Sequence, residues 1–258
     1  MTEDVLYQEP EPGIAVITLN RPDKRNAINV SASRTLAMLV ERTEATRDIR
    51  VVILTGEGPV AFCAGADLDD IAAGAGEQLM VNGAGMGGLI HARRRKPWIA
   101  AVRGAAHGGG TELALACDMI IAGKNARFTL PEVKRGLIAG AGGVYRLMRR
   151  ISPALAMELL LTGNGLDAER AAALGLINRQ VEDDEVLASA LQLARQIAAN
   201  APLAVQETLL IARQALALGE DDLRMATDVA CQRLATSEDI IIGLRAFQEK
   251  RTPEWKGR

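Results

Sequence analysis

The chain has 258 residues, 48% hydrophobic and 24% charged, which suits one large core, or a domain with a smaller appendage, better than two independent domains. Its 30 Lys and Arg against 32 Asp and Glu leave a formal charge of -2, without the basic surplus that duplex nucleic acid demands, so no nucleic-acid partner is expected. No apolar run reaches the roughly 18 residues of a bilayer span, and the acidic opening MTEDVLYQEPEPG has no signal or transit character, so the expected setting is cytoplasmic, away from membranes.

Ile14 to Leu19 (IAVITL) is the first strand signal, closed by Asn20-Arg21-Pro22-Asp23, and Val51 to Thr55 (VVILT) is the second, bounded by Gly56. Between them, apolar positions over residues 31 to 47 recur at helical spacing behind a candidate Ser31 cap. Trp98 to Val102 and Met119 to Ala122 are further short apolar runs, each preceded by a stretch that reads as helical, and this alternation predicts an α/β class built on a largely parallel sheet. After Ile177 strand signals stop. Residues 183 to 199, 202 to 218, 221 to 236 and 238 to 250 read as amphipathic helices, punctuated by Pro202 and Gly219. Cys63, Cys117 and Cys231 form no C-x-x-C pair and read as buried small hydrophobes. The two histidines, His91 and His107, lack metal-ligand spacing, so no metal site is expected.

The segment GAAHGGGTELALACD (Gly104 to Asp118) carries the most chemistry. Its glycines admit a ligand close to the backbone at the start of a helix, where amides have no internal partners, so the Gly109 N-H is a candidate oxyanion donor. Glu112, three residues on, falls on the same helical face. It reads either as a carboxylate answering the helix dipole or as a positioned acid or base; its apolar neighbours Leu113, Ala114 and Leu115 imply burial and favour the second. In CAGADLDD (Cys63 to Asp70), the Ala66 N-H is a second candidate donor, whereas Asp67 taken alone reads first as a helix cap. In FTLPEVKRGLIAGAGG (Phe128 to Gly143), Glu132 follows a turn at Pro131 and is either a partner for Glu112 or an ordinary surface acid.

Two further motifs carry less. Gly83 to Gly88 matches G-x-G-x-x-G, but no strand precedes it and no acid follows at the ribose position, which argues against a nicotinamide site. Arg93-Arg94-Arg95-Lys96 reads as favourable charge at the C-terminus of the helix expected before it, in preference to a phosphate contact.

Taken in order, LNRPDKRNAIN (Leu19 to Asn29), AGADL (Ala64 to Leu68), HGGGTELALACD, PEVKRGLIAGAGG and AFQEKR (Ala246 to Arg251) resemble the crotonase (enoyl-CoA hydratase/isomerase) superfamily over nearly the whole chain. The tail EKRTPEWKGR is similar to that of carnitinyl-CoA dehydratase-like members. The resemblance implies a ββα-repeat spiral core with a C-terminal helical region: an acyl-CoA-binding core over residues 1-200, and an oligomerising, CoA-covering region over 201-258. It implies that the Ala66 and Gly109 amides hold the thioester oxygen and that Glu112 and Glu132 are the catalytic pair of a hydratase. By the same resemblance Arg25, Ala27 and Ile28 form the adenine-side loop, while Ala64, Asp67, Leu68, Asp69 and Gly140 line the acyl-CoA path. Phe247 and Lys250 lie near the CoA nucleotide, often across a subunit boundary. Coenzyme A enters only as part of the substrate, no separate cofactor is implied, and the expected assembly is a homotrimer or a dimer of trimers. A carnitinyl-CoA dehydratase-type lyase, a double-bond isomerase and a non-catalytic acyl-CoA-binding protein are the alternatives. The chain departs from the hydratase pattern at Leu130, where a polar residue is usual, and at Ala139, where proline is usual.

Overall fold

The computed structural model describes residues 3–81 and 83–258. Strands β1 (Val5–Glu11) and β2 (Ile14–Leu19) form an antiparallel hairpin, and helix α1 (Val30–Ala45) leads to β3 (Val51–Gly56) and β4 (Ala61–Cys63). Helix α2 (Leu68–Ala72) follows, then β5 (Trp98–Val102), β6 (Ala105–His107) and α3 (Gly109–Ala116). The middle of the chain adds β7 (Met119–Gly123), β8 (Arg127–Thr129), α4 (Gly143–Arg150), α5 (Pro153–Thr162), β9 (Gly165–Asp167), α6 (Ala168–Ala173) and β10 (Arg179–Val181). Four helices end it: α7 (Val186–Ala198), α8 (Pro202–Gln214), α9 (Glu220–Ala235) and α10 (Glu238–Glu249).

Six strands make one sheet in the order β1-β2-β3-β5-β7-β10, parallel from β2 onward, and four short strands make a second in the order β4-β6-β8-β9. The pairs β3-β4, β5-β6 and β7-β8 each place their first strand in the large sheet and their second in the small one, and each precedes a helix: α2, α3 or α4. Repeated in register, this ββα unit winds the chain into a spiral, the crotonase-like α/β architecture that the sequence resemblance implied.

The inner strands β2, β3, β5 and β7 of the large sheet are buried on both faces, which is why they read as unbroken apolar runs and not as alternating ones. Ala15, Ile17, Val52, Leu54, Ala100 and Val102 point toward α1, α3 and the small sheet. Their neighbours Ile14, Val16, Val51, Ile53, Ile99 and Ala101 point toward Val186, Ala190 and Ala194 of α7. The small sheet is drawn against α3 by a close approach at Gly110, where a Cβ would lie only 2.0 Å from the Cys63 carbonyl oxygen.

Several expectations need correction. The cap of α1 is Asn29, whose side chain accepts from the Ala32 amide at 2.7 Å; Ser31 lies inside the helix. No helix directly precedes Trp98: residues 83 to 97 are turns and irregular chain, so the Arg93 to Lys96 run closes no helix of its own. It serves other helices. Buried Arg94 donates to the Ala116 carbonyl at 2.6 Å at the end of α3, and buried Lys96 donates to the Thr43 and Thr46 carbonyls at the end of α1. The dipole-matching charge is real, but it reaches across the fold. Strand β10 lies beyond Ile177, where strand signals were expected to have ended, and Cys231 is exposed while Cys63 and Cys117 are buried.

Helices α8 to α10 join the body through few polar ties. The Arg213 guanidinium grips Asp118 at 2.7 and 2.8 Å, Arg95 pairs with Glu207 at 3.6 Å, Arg47 donates to the Lys256 carbonyl at 2.7 Å, and Trp255 donates to the Ala199 carbonyl at 2.7 Å. Their outer faces keep large apolar side chains in solvent, with Leu244 61% and Phe247 85% exposed. No helix among the described residues is long and apolar enough to cross a membrane.

Candidate active site

The loop after β2 and the segment after β4 are joined by a short parallel bridge between Ile28 and Ala66. In it the Ile28 amide donates to the Gly65 carbonyl at 2.8 Å and the Asp67 amide to the Ile28 carbonyl at 2.9 Å. A parallel bridge uses the residues that flank Ala66, so Ala66's own N-H points the other way. Gly65 makes the turn with φ of +91°, and a Cβ there would stand 2.9 Å from the Gly109 nitrogen. Gly109 is the first residue of α3, where an amide has no intrahelical acceptor. Neither the Ala66 nor the Gly109 amide has a hydrogen-bond acceptor among the described residues. Two free donors therefore sit side by side, the arrangement that an oxyanion requires.

The loop carrying Arg25, Ala27 and Ile28 is stitched to the same segment. The Ala64 amide donates to the Arg25 carbonyl at 2.9 Å, and Lys24 pairs with Asp69 at 3.0 Å. Arg21, not singled out from the sequence, is the brace: its Nη1 donates to both the Ala27 carbonyl and Asp67 Oδ2 at 2.7 Å. Asp67 also accepts from the Asp69 amide at 3.0 Å as the cap of α2. Burial pushes its carboxyl up, but Arg21 and that amide outweigh burial and hold it below the usual carboxylate range. Its carboxylate is thus occupied by the protein itself, in keeping with the capping reading, while Leu68 and Asp69 beside it are exposed.

Glu112 lies one turn into α3 and is 3% exposed. Its Oε1 accepts from the Gly143 amide at 2.8 Å, at the start of α4. Burial pushes its carboxyl up to about 7; the Gly143 and Ala141 amides pull it down, and the Glu132 carboxylate pushes it further up. The Ala141 carbonyl is held by Arg146 at 3.0 Å, beside exposed Gly140. Glu132 opens a short 3-10 turn at 132–135, half-buried, with its Oε2 enclosed and without a partner. Burial raises its pKa, against its own backbone amide and Arg135.

The two carboxyls meet across Gly108. The Glu112 amide donates to the Gly108 carbonyl at 3.1 Å, and a Cβ on Gly108 would stand 3.0 Å from Glu132 Oε1. Residues 20 apart in the chain thus share one site, because β8 pairs with β6 directly beneath the start of α3. His107 on β6 is a half-buried wall residue whose pKa is lowered by burial and by Arg135. Phe247 on α10 and Lys250 just after it make no hydrogen bond or ion pair with these residues among the described residues of the chain. The Gly143 and Ala141 amides and Arg146 escaped the sequence reading, since a backbone donor leaves no residue-type signature.

This spiral, with paired carboxyls under two unengaged amides, is the architecture of the crotonase class. The family model described as Enoyl-CoA hydratase/isomerase matches residues 9–258. The carnitinyl-CoA dehydratase of Proteus mirabilis is 42% identical over 258 residues, covering 98% of each chain. The 2,3-dehydroadipyl-CoA hydratase of Escherichia coli is 39% identical over 253 residues, covering 95% of this chain and 96% of that one. An enoyl-CoA hydratase from Mycobacterium tuberculosis superposes with a TM-score of 0.95 at 43% identity, each chain covered in full. The chain belongs to the enoyl-CoA hydratase/isomerase family.

Proposed function

We propose that the chain works in the cytoplasm as an enoyl-CoA hydratase that adds water reversibly across a 2-enoyl-CoA thioester. The observation that carries this reading is the pair of close, raised carboxyls, Glu112 and Glu132, beside the two unengaged amides of Ala66 and Gly109. An isomerase needs one proton carrier, whereas hydration needs one group to take a proton from water and another to give one to carbon.

In the reaction, the Ala66 and Gly109 amides accept the negative charge that grows on the thioester oxygen as water attacks C3; one such donor contributes about 3 to 4 kcal/mol. Glu112 takes the water proton and Glu132 delivers a proton to C2, so the proton passes in effect from Glu132 to Glu112, and exchange with solvent resets the pair. In the unliganded site the stronger rise is at Glu112. Substrate covering half-buried Glu132 desolvates it further, while Glu112 keeps the Gly143 amide as a donor to its carboxylate, and this favours the proton on Glu132. Arg25, Ala27, Ile28, Ala64, Asp67, Leu68, Asp69 and Gly140 shape the acyl-CoA path, Asp67 by bracing the Ala66 segment. Coenzyme A is part of the substrate, and the reaction calls for no separate cofactor.

Residues 1-200 form the acyl-CoA-binding core and 201-258 the oligomerising, CoA-covering region. The exposed apolar faces of α8 to α10 and the free Phe247 and Lys250 support a homotrimer or a dimer of trimers. The name of the Proteus relative supports a second reading, dehydration of carnitinyl-CoA at the same carboxyl pair. Mass analysis of crotonyl-CoA turned over in oxygen-18 water tests the first: one label at C3 is expected. A shift of the double bond in a 3-enoyl-CoA with no label from water would replace hydration by isomerisation.

A further inference from the structure

Resting on the hydratase reading, we infer that Arg146 is a positioning residue for Glu112: it clamps the loop that orients the Glu112 carboxylate, and its charge helps to keep the shared proton of the pair on Glu132. Arg146 lies near the start of α4, yet its guanidinium turns back past the first turn of that helix. Nη1 donates to the Ala141 carbonyl, five residues upstream, at 3.0 Å, and Nη2 donates to the Ile90 carbonyl. The loop it closes over, Ala141 to Gly143, supplies the amide that Glu112 Oε1 accepts at 2.8 Å. The fit leaves no room for a side chain at Gly142, where φ is +99° and a Cβ would stand 2.0 Å from Arg146 Nη1. On its other side, Ile90 lies four residues from Met86 in the same irregular segment, and Met86 packs on Gly109, where a Cβ would stand 2.6 Å from its Cε. One guanidinium thus ties the loop that aims the base to the segment that backs an oxyanion donor.

This is a costly place for a cation. It opposes the dipole at the N-terminal end of α4, and Arg146 is partly buried there with two backbone carbonyls as its acceptors and no carboxylate. Burial draws its pKa below the ordinary guanidinium range, while Tyr145 and then Glu112 act against that. The same field lowers the proton affinity of Glu112. A neutral donor could hold a carbonyl equally well; only a charge also favours an ionised Glu112. The base must be ionised and the acid protonated when water attacks, so each unit by which Glu112 rises relative to Glu132 depletes the productive single-proton state about tenfold. The outer side of Arg146 faces a cavity of about 590 Å³ between α4 and α8, through which a free guanidinium ion can reach the clamp once the side chain is removed.

The test is the pH profile of crotonyl-CoA hydration by three variants. Arg146→Gln keeps a donor but no charge: kcat should fall at least about tenfold with KM within about twofold, and the alkaline limb of kcat/KM should move up by about one unit. Arg146→Lys keeps the charge without the planar fork, so kcat should fall while the limb stays in place. Arg146→Ala should regain at least about fivefold in kcat with millimolar guanidinium, which should leave the wild type unchanged. An alkaline limb in Arg146→Gln that matches the wild type overturns the inference even if the variant is slow or unstable, because losing a structural tie alone moves no titration. A limb displaced equally in Arg146→Lys overturns it too. If the wild type hydrates no enoyl thioester, the hydratase reading fails by itself, and carbon-13 NMR of the glutamate carboxyls, assigned with Glu112→Gln, decides the clamp. The Glu112 titration should move up in Arg146→Gln, and an unmoved one refutes the inference.

Discussion

Glu112 and Glu132 serve one site from opposite kinds of structure. Glu112 rides on a helix buried along its length, wedged against β4 through Gly110, and its carboxylate is pinned by the Gly143 amide. Glu132 sits on a short turn whose next residues, Val133 to Ile138, are all exposed, and one of its oxygens has no partner at all. The contrast separates two requirements of the chemistry. A base that orients water gains from a fixed carboxylate, whereas an acid that must meet carbon gains from an oxygen left free for the substrate.

The largest effects are expected on the rigid side. Gly110→Ala puts a Cβ 2.0 Å from the Cys63 carbonyl oxygen and should cost about 3 kcal/mol or more in urea unfolding; an unchanged midpoint would mean that α3 is not wedged. Glu112→Gln should instead stabilise the fold, in a pH-dependent way. A carboxyl whose pKa rises from 4.5 to about 7 on folding contributes stability that is complete below 4.5 and is lost as pH rises through 7. Removing it should therefore raise stability at pH 8, relative to wild type, by on the order of 3 kcal/mol more than at pH 4.

With the two carboxyls in the proposed roles, their single-proton state is the productive one. For the free protein, kcat/KM should fall about tenfold per pH unit above an apparent pKa near 7, where both are ionised, and fall again in acid, where both are protonated. A profile flat from pH 6 to 9 would break the pairing. The smallest effect is expected on the exposed side: Gly136→Ala, in a left-handed conformation with nothing within 4 Å, should cost only about 1 kcal/mol.

The same contrast explains what was legible in the sequence. The helix bearing Glu112 announced itself through its glycines and apolar run, and the large-sheet strands IAVITL, VVILT and WIAAV were found because burial on both faces keeps them continuously apolar. The small sheet was not, since β4, β6 and β9 span three residues each, too few to carry a period. Arg94 and Lys96 were assigned to the wrong helix because their acceptors, Ala116 and Thr43, lie 22 and 53 residues away in the chain. Glu132 was recognised by resemblance alone. What makes it a partner of Glu112 is the pairing of β8 with β6, which no local pattern encodes.

The most direct test of the central claim is the rate of crotonyl-CoA hydration by Glu112→Gln and Glu132→Gln, assayed separately as loss of the conjugated thioester absorbance. Both variants should fold, and each should lose at least roughly 10² in kcat. Either variant hydrating at the wild-type rate would contradict a shared acid-base role for the two carboxyls.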